Sequence, residues 1–231
     1  MKYSKPLQVI ADRMRERLND RSTVEQRRIH SLADGLAFKT RALEDIAANR
    51  SPSETDAAHV KRLAQSAKRL EKAREEAEAK AHEIYSEAST SLTDQMNRAA
   101  GLIPSKYEAE IRQAVRGMSS EQRTDFMNQA LKEGNSEVMA AVIDAPAVLS
   151  GINPELQGRY RESMWQSKAP ELYKALEDTG DMFSEILTVT HNVGRAVQEG
   201  FDPAELGKIE AAEAAHADAN RRFEAGDASA A

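Results

Sequence analysis

Apolar residues in the first hundred positions recur three or four residues apart, which is the spacing of one face of an α-helix. Residues 6–18 predict a first helix with an apolar face formed by Leu7, Ile10, Met14 and Leu18. A second helix is predicted over 23–49. Its start is indicated by Ser22 to Glu25, which matches the capping-box pattern that satisfies the first N–H groups of a helix.

The segment from 54 to 100 contains no glycine and no proline and predicts a third, much longer helix. Its apolar positions follow the spacing of a coiled-coil seam, in which small side chains allow helices to approach closely. The seam residues, which are candidate interface residues, are Val60, Leu63, Ala67, Leu70, Ala77, Ala81, Ile84 and Ala88.

The lengths of the second and third helices are unequal. At about 1.5 Å per residue they extend roughly 40 Å and roughly 70 Å, so an antiparallel pairing leaves an overhang of about 30 Å. The first helix can cover part of that overhang. Otherwise another subunit or another protein must cover it, which is the main physical reason to expect assembly.

Gly101 to Pro104 marks a boundary beyond which the predicted helices are shorter. Helices are expected over 105–116, 119–134, 136–143, 153–168 (or, past Pro170, to 178) and 181–197, with a last one from 202. The sequence therefore predicts an all-α fold, a long antiparallel coiled-coil-like hairpin followed by a compact multi-helix domain. The predicted domains are 1–103 and 104–225, followed by a disordered tail at 226–231.

Composition narrows the function classes. The chain has no cysteine, which excludes a disulfide scaffold, a thiolate nucleophile and a Cys-ligated metal. The N-terminus has no apolar signal segment, and the longest apolar run, 138–152, is shorter than the ~20 residues a membrane helix needs. We therefore expect no membrane span and a cytoplasmic location.

Charge is distributed unevenly along the chain. Residues 1–103 carry 19 Lys and Arg against 16 Asp and Glu, a net charge of +3, whereas the remainder carries −9. A cluster of basic contact candidates lies near the N-terminus: Arg13, Arg15, Arg17, Arg21, Arg27 and Arg28. These arginines could contact nucleic acid or an acidic protein, although arginines on a solvated helix with acidic neighbours are the simpler interpretation.

Motifs for catalysis are not found in the sequence. There is no glycine-rich phosphate loop and no H-E-x-x-H, and a di-iron bundle needs two E-x-x-H motifs where this chain has one, at Glu213 to His216. Residues 126–143 have the spacing of a helix-turn-helix, but no Lys or Arg occurs between Lys132 and Arg159, so this segment would repel DNA. We predict no enzyme activity, no metal and no cofactor, while a helical enzyme with unrecognised acid chemistry stays an alternative.

The stretch from Val138 to Ile152 is the most apolar in the chain. It predicts a buried helix–turn element, or alternatively a docking surface for a partner helix. The string from Gly134 to Gly151, following an alanine-rich charged hairpin, resembles small helical proteins of tailed-phage and prophage structural modules.

This resemblance implies a virion or assembly component near the capsid, portal or tail, located in the virion or in the host cytoplasm during assembly. Such a protein would contact itself and other virion proteins through its helices. The alternative is a bacterial helical adaptor or regulator that binds a protein partner.

Overall fold

The structure, a computed structural model, describes residues 2–228, with side chains through residue 225. Helices make up nearly all of this part of the chain, and no strand occurs in it, which confirms the all-α prediction. The helices are α1 (Ser4–Arg17), α2 (Val24–Ala48), α3 (Asp56–Ala99), α4 (Glu108–Gly117), α5 (Ser120–Glu133), α6 (Ser136–Ile143), α7 (Ala147–Ser150), α8 (Pro154–Lys168), α9 (Pro170–Gly200) and α10 (Pro203–Ala228).

The chain divides into two compact units. Unit 1 contains residues 1–84 and 182–231, and unit 2 contains residues 85–181. The division therefore falls within α3 and within α9, whereas the sequence predicted a boundary at residue 103. Unit 1 is assembled from both ends of the chain, an arrangement that local sequence signals do not reveal.

Four helices share the core of unit 1. α1, α2, the first part of α3 and the last part of α9 contribute buried residues to one cluster, including Met14, Ile29, Leu70 and Ile186. α1 and α2 are joined by a short turn and are antiparallel. α9 is antiparallel to α1, because Arg13 contacts Glu185 and Lys2 contacts Glu199.

The coiled-coil-like hairpin is not confirmed, because α1 and α9 enter the same core as α2 and α3. The predicted overhang is also wrong as a reason for assembly. Although α3 is one unbroken helix, the seam residues of α3 in unit 1 pack on the chain's own Met182, Ile186, Val189 and Val193 from α9. Local sequence patterns do not indicate this partner, because the contacting part of α9 lies more than a hundred residues away from most of the seam.

Local signals explain where α2 begins. The Thr23 side chain accepts a hydrogen bond from Gln26 N at 3.2 Å, and the Gln26 side chain accepts one from Thr23 N at 3.0 Å. This reciprocal pair is a capping box displaced by one residue from the predicted Ser22–Glu25 pair. The displacement moves the first helical residue to Val24.

Unit 2 has its own core, formed by α4, α5, α6 and α8 together with Ala100 and Leu102, which lie just after the end of α3. α5 ends at Gly134, whose φ of 65° is left-handed, and Asn135 caps α6 by accepting a hydrogen bond from Val138 N. Asn153 caps α8, and Pro154 occupies its first turn. These caps bear out the predicted starts at Ser136 and Asn153.

α9 continues through residues 178–181, where the sequence predicted a break. Thr179 is fully buried, and its Oγ1 donates to the carbonyl of Ala175 at 2.6 Å. Gly180 lies beside Tyr85, so tertiary packing offsets the poor helix propensity of glycine. α10 runs to Ala228, so 226–228, predicted to be disordered, are helical, while 229–231 lie outside the described residues.

Candidate functional site

The predicted interface residues of α3 are core residues of this chain. All eight are buried, from Val60 and Leu63 at 9% exposure to Ala67 and Ala81 at 0%; the others are Leu70, Ala77, Ile84 and Ala88. Their spacing correctly indicated a seam. These eight side chains are covered within the chain itself and are not exposed to a second molecule.

The N-terminal arginines lie on the surface at the end of the bundle where α1 turns into α2. Arg13, Arg15, Arg17, Arg21, Arg27 and Arg28 are all exposed. Several have acidic or carbonyl partners already. Glu185 Oε1 lies 2.8 Å from Arg13 Nε and 3.5 Å from Arg17 Nη2.

Two further arginines of this group make local contacts. Arg15 Nη2 lies 3.0 Å from Asp12 Oδ1, and Arg27 Nη2 donates to the carbonyl of Asn19 at 2.7 Å. Much of the positive charge is therefore offset within the chain. This surface supports contact with an anion less strongly than the arginine count alone indicates.

The helix-turn-helix spacing corresponds to α5, the Gly134 turn and α6. In a DNA-reading motif the second helix must present side chains to the major groove. α6 instead buries Met139, Ala140, Ala141, Val142 and Ile143 in the core of unit 2. This helix serves as packing and has no free face for bases.

The apolar stretch 138–152 combines buried and exposed residues. Residues 139–143, Ala145 and Ile152 are buried, as the helix–turn interpretation predicted. Two large side chains of α7 point outward, since Val148 is 79% exposed and Leu149 is 44% exposed. We call this pair the apolar knob.

A buried glutamine fixes the backbone beneath the apolar knob. Gln157 of α8 is 7% exposed. Its Nε2 donates to the carbonyls of Val142 and Ala145 at 2.8 and 2.7 Å, and lies 3.1 Å from Ser150 Oγ. The helical partner of the Val142 carbonyl would be the N–H of residue 146, which is a proline, so the glutamine supplies a donor that the backbone lacks.

An arginine holds the other side of the same turn. Arg123 of α5 donates from Nε to the carbonyl of Val115 at 3.0 Å and from Nη2 to that of Met118 at 2.9 Å, and its Nη1 donates to the carbonyl of Gly151. Gly151 has φ of 70°, and an added Cβ would lie 2.8 Å from Arg123 Cζ. The left-handed backbone therefore favours glycine here, and hydrogen bonds from Arg123 and Gln157 hold the turn beneath the knob.

α10 is the least covered helix of unit 1. None of its side chains from 203 to 225 is buried, and only Leu206, Ile209 and Asp218 are half-buried. Phe223 is 73% exposed. The helix is tied to α3 by an ion pair between Glu213 and Lys61. The sequence predicts a helix here, starting at Asp202, but indicates no role for it.

A cavity of about 410 Å³ in unit 1 lies at the opposite end of the bundle from the arginines. Lys2, Tyr3, Glu44 and Glu199 line it, together with Leu43 and small residues. Burial opposes ionisation of Glu44, but hydrogen bonds from Ser4 Oγ and from the N–H groups of Tyr3 and Ser4 outweigh it and lower the pKa of this carboxyl.

The charged groups of this cavity already pair with one another. The carboxylate of Glu44 accepts hydrogen bonds from the N–H groups at the N-terminus of α1. It therefore acts as a helix-capping side chain supplied by α2. Lys2 and Glu199 form an ion pair, and its hydrogen bond lowers the pKa of Glu199. The arrangement fastens α1 to α2 and α9.

The described part of the chain shows neither a metal-binding cluster nor a membrane-spanning helix. Residues 2–228 contain no group of three or more His, Asp or Glu side chains placed to hold a metal ion. None of the helices in that range combines the length and apolar character needed to cross a bilayer. Comparison of the chain with protein-family models, with curated proteins and with solved structures found no match.

Proposed function

We propose that this chain is a non-enzymatic structural or assembly protein of a tailed-phage particle, associated with the capsid, portal or tail. The observation that carries the proposal is the apolar knob. Val148 and Leu149 are exposed on a turn that Gln157 and Arg123 hold in place. The knob also lies inside 134–151, the stretch that resembles phage structural proteins.

Rigid presentation of apolar side chains favours a protein–protein contact. A side chain held in its bound position before association loses less conformational freedom on binding. Burial of apolar surface is also the dominant favourable contribution to most protein–protein association. We propose that the knob inserts into an apolar pocket of another virion protein.

The test is incorporation into particles. Phage particles are produced from the genome that encodes this chain, purified by density gradient, and the chain is quantified by mass spectrometry. We expect several copies per particle for the natural sequence. Particles that contain none of the chain would overturn the virion proposal.

A knob variant tests the contact itself. Val148→Asp places a carboxylate where the partner pocket is apolar, and burying an unpaired charge there is strongly unfavourable. We expect incorporation to fall by at least about tenfold, which corresponds to about 1.4 kcal/mol of lost binding. Val9→Asp is the matched control, because Val9 is 64% exposed on α1. Equal incorporation of both variants would exclude the knob as the contact.

A second candidate function is a bacterial adaptor or regulator that binds a protein partner. The burial of the α3 seam within the chain favours it, because the four-helix core then needs no second copy for completion. The same mass spectrometry separates the two functions. An adaptor is expected in the cell extract and absent from purified particles.

A further inference from the structure

The cavity in unit 1 has the size of a small-molecule site. Its volume is about 410 Å³, and ligand pockets in proteins typically measure about 300–1,000 Å³. α2 and α9 each line it with residues spaced three or four apart, so each helix contributes one face. The lining residues of α2 are Thr40, Leu43, Glu44, Ala47 and Ala48, and those of α9 are Ala196, Glu199 and Gly200.

Small residues leave this space open and make its wall largely apolar. Ala47, Ala48 and Ala196 each present only a methyl group. Gly200 presents none, and a Cβ added there would lie 3.4 Å from Leu43 Cδ2. Because burial of apolar surface is favourable, such a wall accepts the hydrocarbon part of a ligand.

One edge of the cavity already holds an ammonium group. Lys2 Nζ lies 4.9 Å from the centroid of the Tyr3 ring and forms an ion pair with Glu199. An aromatic face and a carboxylate are the groups that recognise organic ammonium ions. The Tyr3 hydroxyl is buried beside this ion pair, yet within the described residues no atom completes a hydrogen bond of normal geometry with it. An ammonium ligand would supply that donor.

Lys2 is a weakly held occupant of this position. Its side chain is 70% exposed and that of Glu199 is 43% exposed, and ion pairs this open to water contribute little stability. The other carboxylate of the cavity is already engaged, since Glu44 accepts hydrogen bonds from the N–H groups of Tyr3 and Ser4 and from the Ser4 hydroxyl. Glu199 is therefore the carboxylate that a ligand can take over.

We infer that this cavity binds a small primary alkylamine. The ammonium group of the ligand displaces Lys2 from Glu199 and from the face of the Tyr3 ring, and the alkyl chain fills the space beside Leu43 and Ala196. Lys2 then acts as an internal competitor for the site. The two carboxylates of the cavity disfavour an anionic ligand, because like charges repel.

Titration of the full chain with n-butylammonium chloride tests the site, with the NMR signals of the Leu43 methyl groups and the Tyr3 ring as the readout. We expect saturable binding with a Kd on the order of 1 mM, which suits a ligand of about five non-hydrogen atoms. 1-Butanol has the same alkyl chain without the charge and should bind at least about tenfold more weakly, because it lacks the charge-assisted contact. Absence of saturable binding would overturn the site, and equal affinities would overturn the choice of an amine.

The two partners of the ion pair provide a sharper test, because their replacement should have opposite effects. Lys2→Met removes the competitor and should tighten butylammonium binding at least about threefold, since the free site is then always available. Glu199→Gln removes the carboxylate and should weaken binding at least about tenfold. Glu210→Gln, at an exposed position of α10, is the control and should change nothing. If the ion pair only fastens α1, both variants change the affinity in the same direction, which would overturn the competition.

Two further measurements define the ligand. Ala47→Leu places a larger side chain in the cavity and should abolish butylammonium binding while the Tm is retained; an unchanged affinity would show that the alkyl chain lies elsewhere and overturn the inference. A lysine side chain of another protein carries the same alkylammonium group, so Nα-acetyl-lysine methylamide is titrated in parallel. Tighter binding of this compound than of butylammonium would overturn the assignment to a small molecule. These titrations use the isolated chain, so the inference and the proposed function can fail independently.

Discussion

Replacement of Gln157 by leucine is expected to destabilise the turn that carries the apolar knob. Gln157→Leu keeps the size of the side chain and removes its Nε2 donor. The carbonyls of Val142 and Ala145, at 2.8 and 2.7 Å, and the Ser150 hydroxyl lose this partner. The position is buried, so water cannot readily replace the lost donor.

The size of the effect follows from the number of acceptors. A buried acceptor left without a donor costs about 1–3 kcal/mol. Two carbonyls therefore cost about 2–6 kcal/mol, and burial of the apolar leucine offsets about 1 kcal/mol of it. We expect a loss of about 3 kcal/mol, which at 2–4 °C per kcal/mol for a chain of this size is a Tm decrease of about 6–12 °C.

Differential scanning calorimetry measures this decrease, and hydrogen exchange locates it. Exchange should accelerate in residues 142–152 before it accelerates in unit 1. Gln166→Leu, at an exposed position of the same helix, is the control and should stay within about 0.5 kcal/mol of the natural chain. If Gln157→Leu has the same Tm as the control variant, the three hydrogen bonds do not stabilise the turn. The knob is then not held in place by Gln157.

Two other predictions concern unit 1. Glu44→Gln is expected to cost about 1–2 kcal/mol at pH 7 by weakening the cap of α1. Because the pKa of Glu44 is lowered, its contribution exists above the unfolded value of about 4.3 and is lost as pH falls through the folded value. Urea unfolding should therefore separate the two chains at pH 7 and not once the pH has fallen below the folded pKa of Glu44; a gap that persists in strong acid would contradict the charge-based cap. Ala81→Leu inserts atoms at a fully buried seam position and should cost about 1–3 kcal/mol by chemical denaturation, whereas Ala79→Leu on the exposed side of α3 should not; equal effects would refute the tight packing.

Local sequence signals predicted where the helices of this fold begin and end better than which helices pack against each other. The limits of α6 follow from Gly134 and Asn135, which end one helix and cap the next. The buried positions of α3 follow from their spacing. The partner of that seam on α9 was missed, because a heptad pattern specifies that a face is covered and not which segment covers it.

The candidate site was harder to predict than the fold. Hydrophobicity predicted that 138–152 is a buried element or, alternatively, a docking surface, and it did not indicate that Val148 and Leu149 are the exposed residues within it. Their exposure depends on hydrogen bonds from Gln157 and Arg123, which lie on other helices. Pro146 and Gly151 are residue types that favour turns, but the sequence carries no local signal for the two distant donors.

Unit 1 is built from two segments that lie far apart in the sequence, and this affects the order in which its core can form during synthesis on the ribosome. α1, α2 and the first part of α3 emerge early, but the face that they share stays open until Met182 to Val193 have been translated. At about 5–20 residues per second, the roughly hundred intervening residues delay that moment by roughly 5–20 s. During this interval unit 2 has been made in full and the nascent three-helix segment exposes its alanine-lined surface, a window in which a chaperone or a neighbouring nascent chain can occupy it.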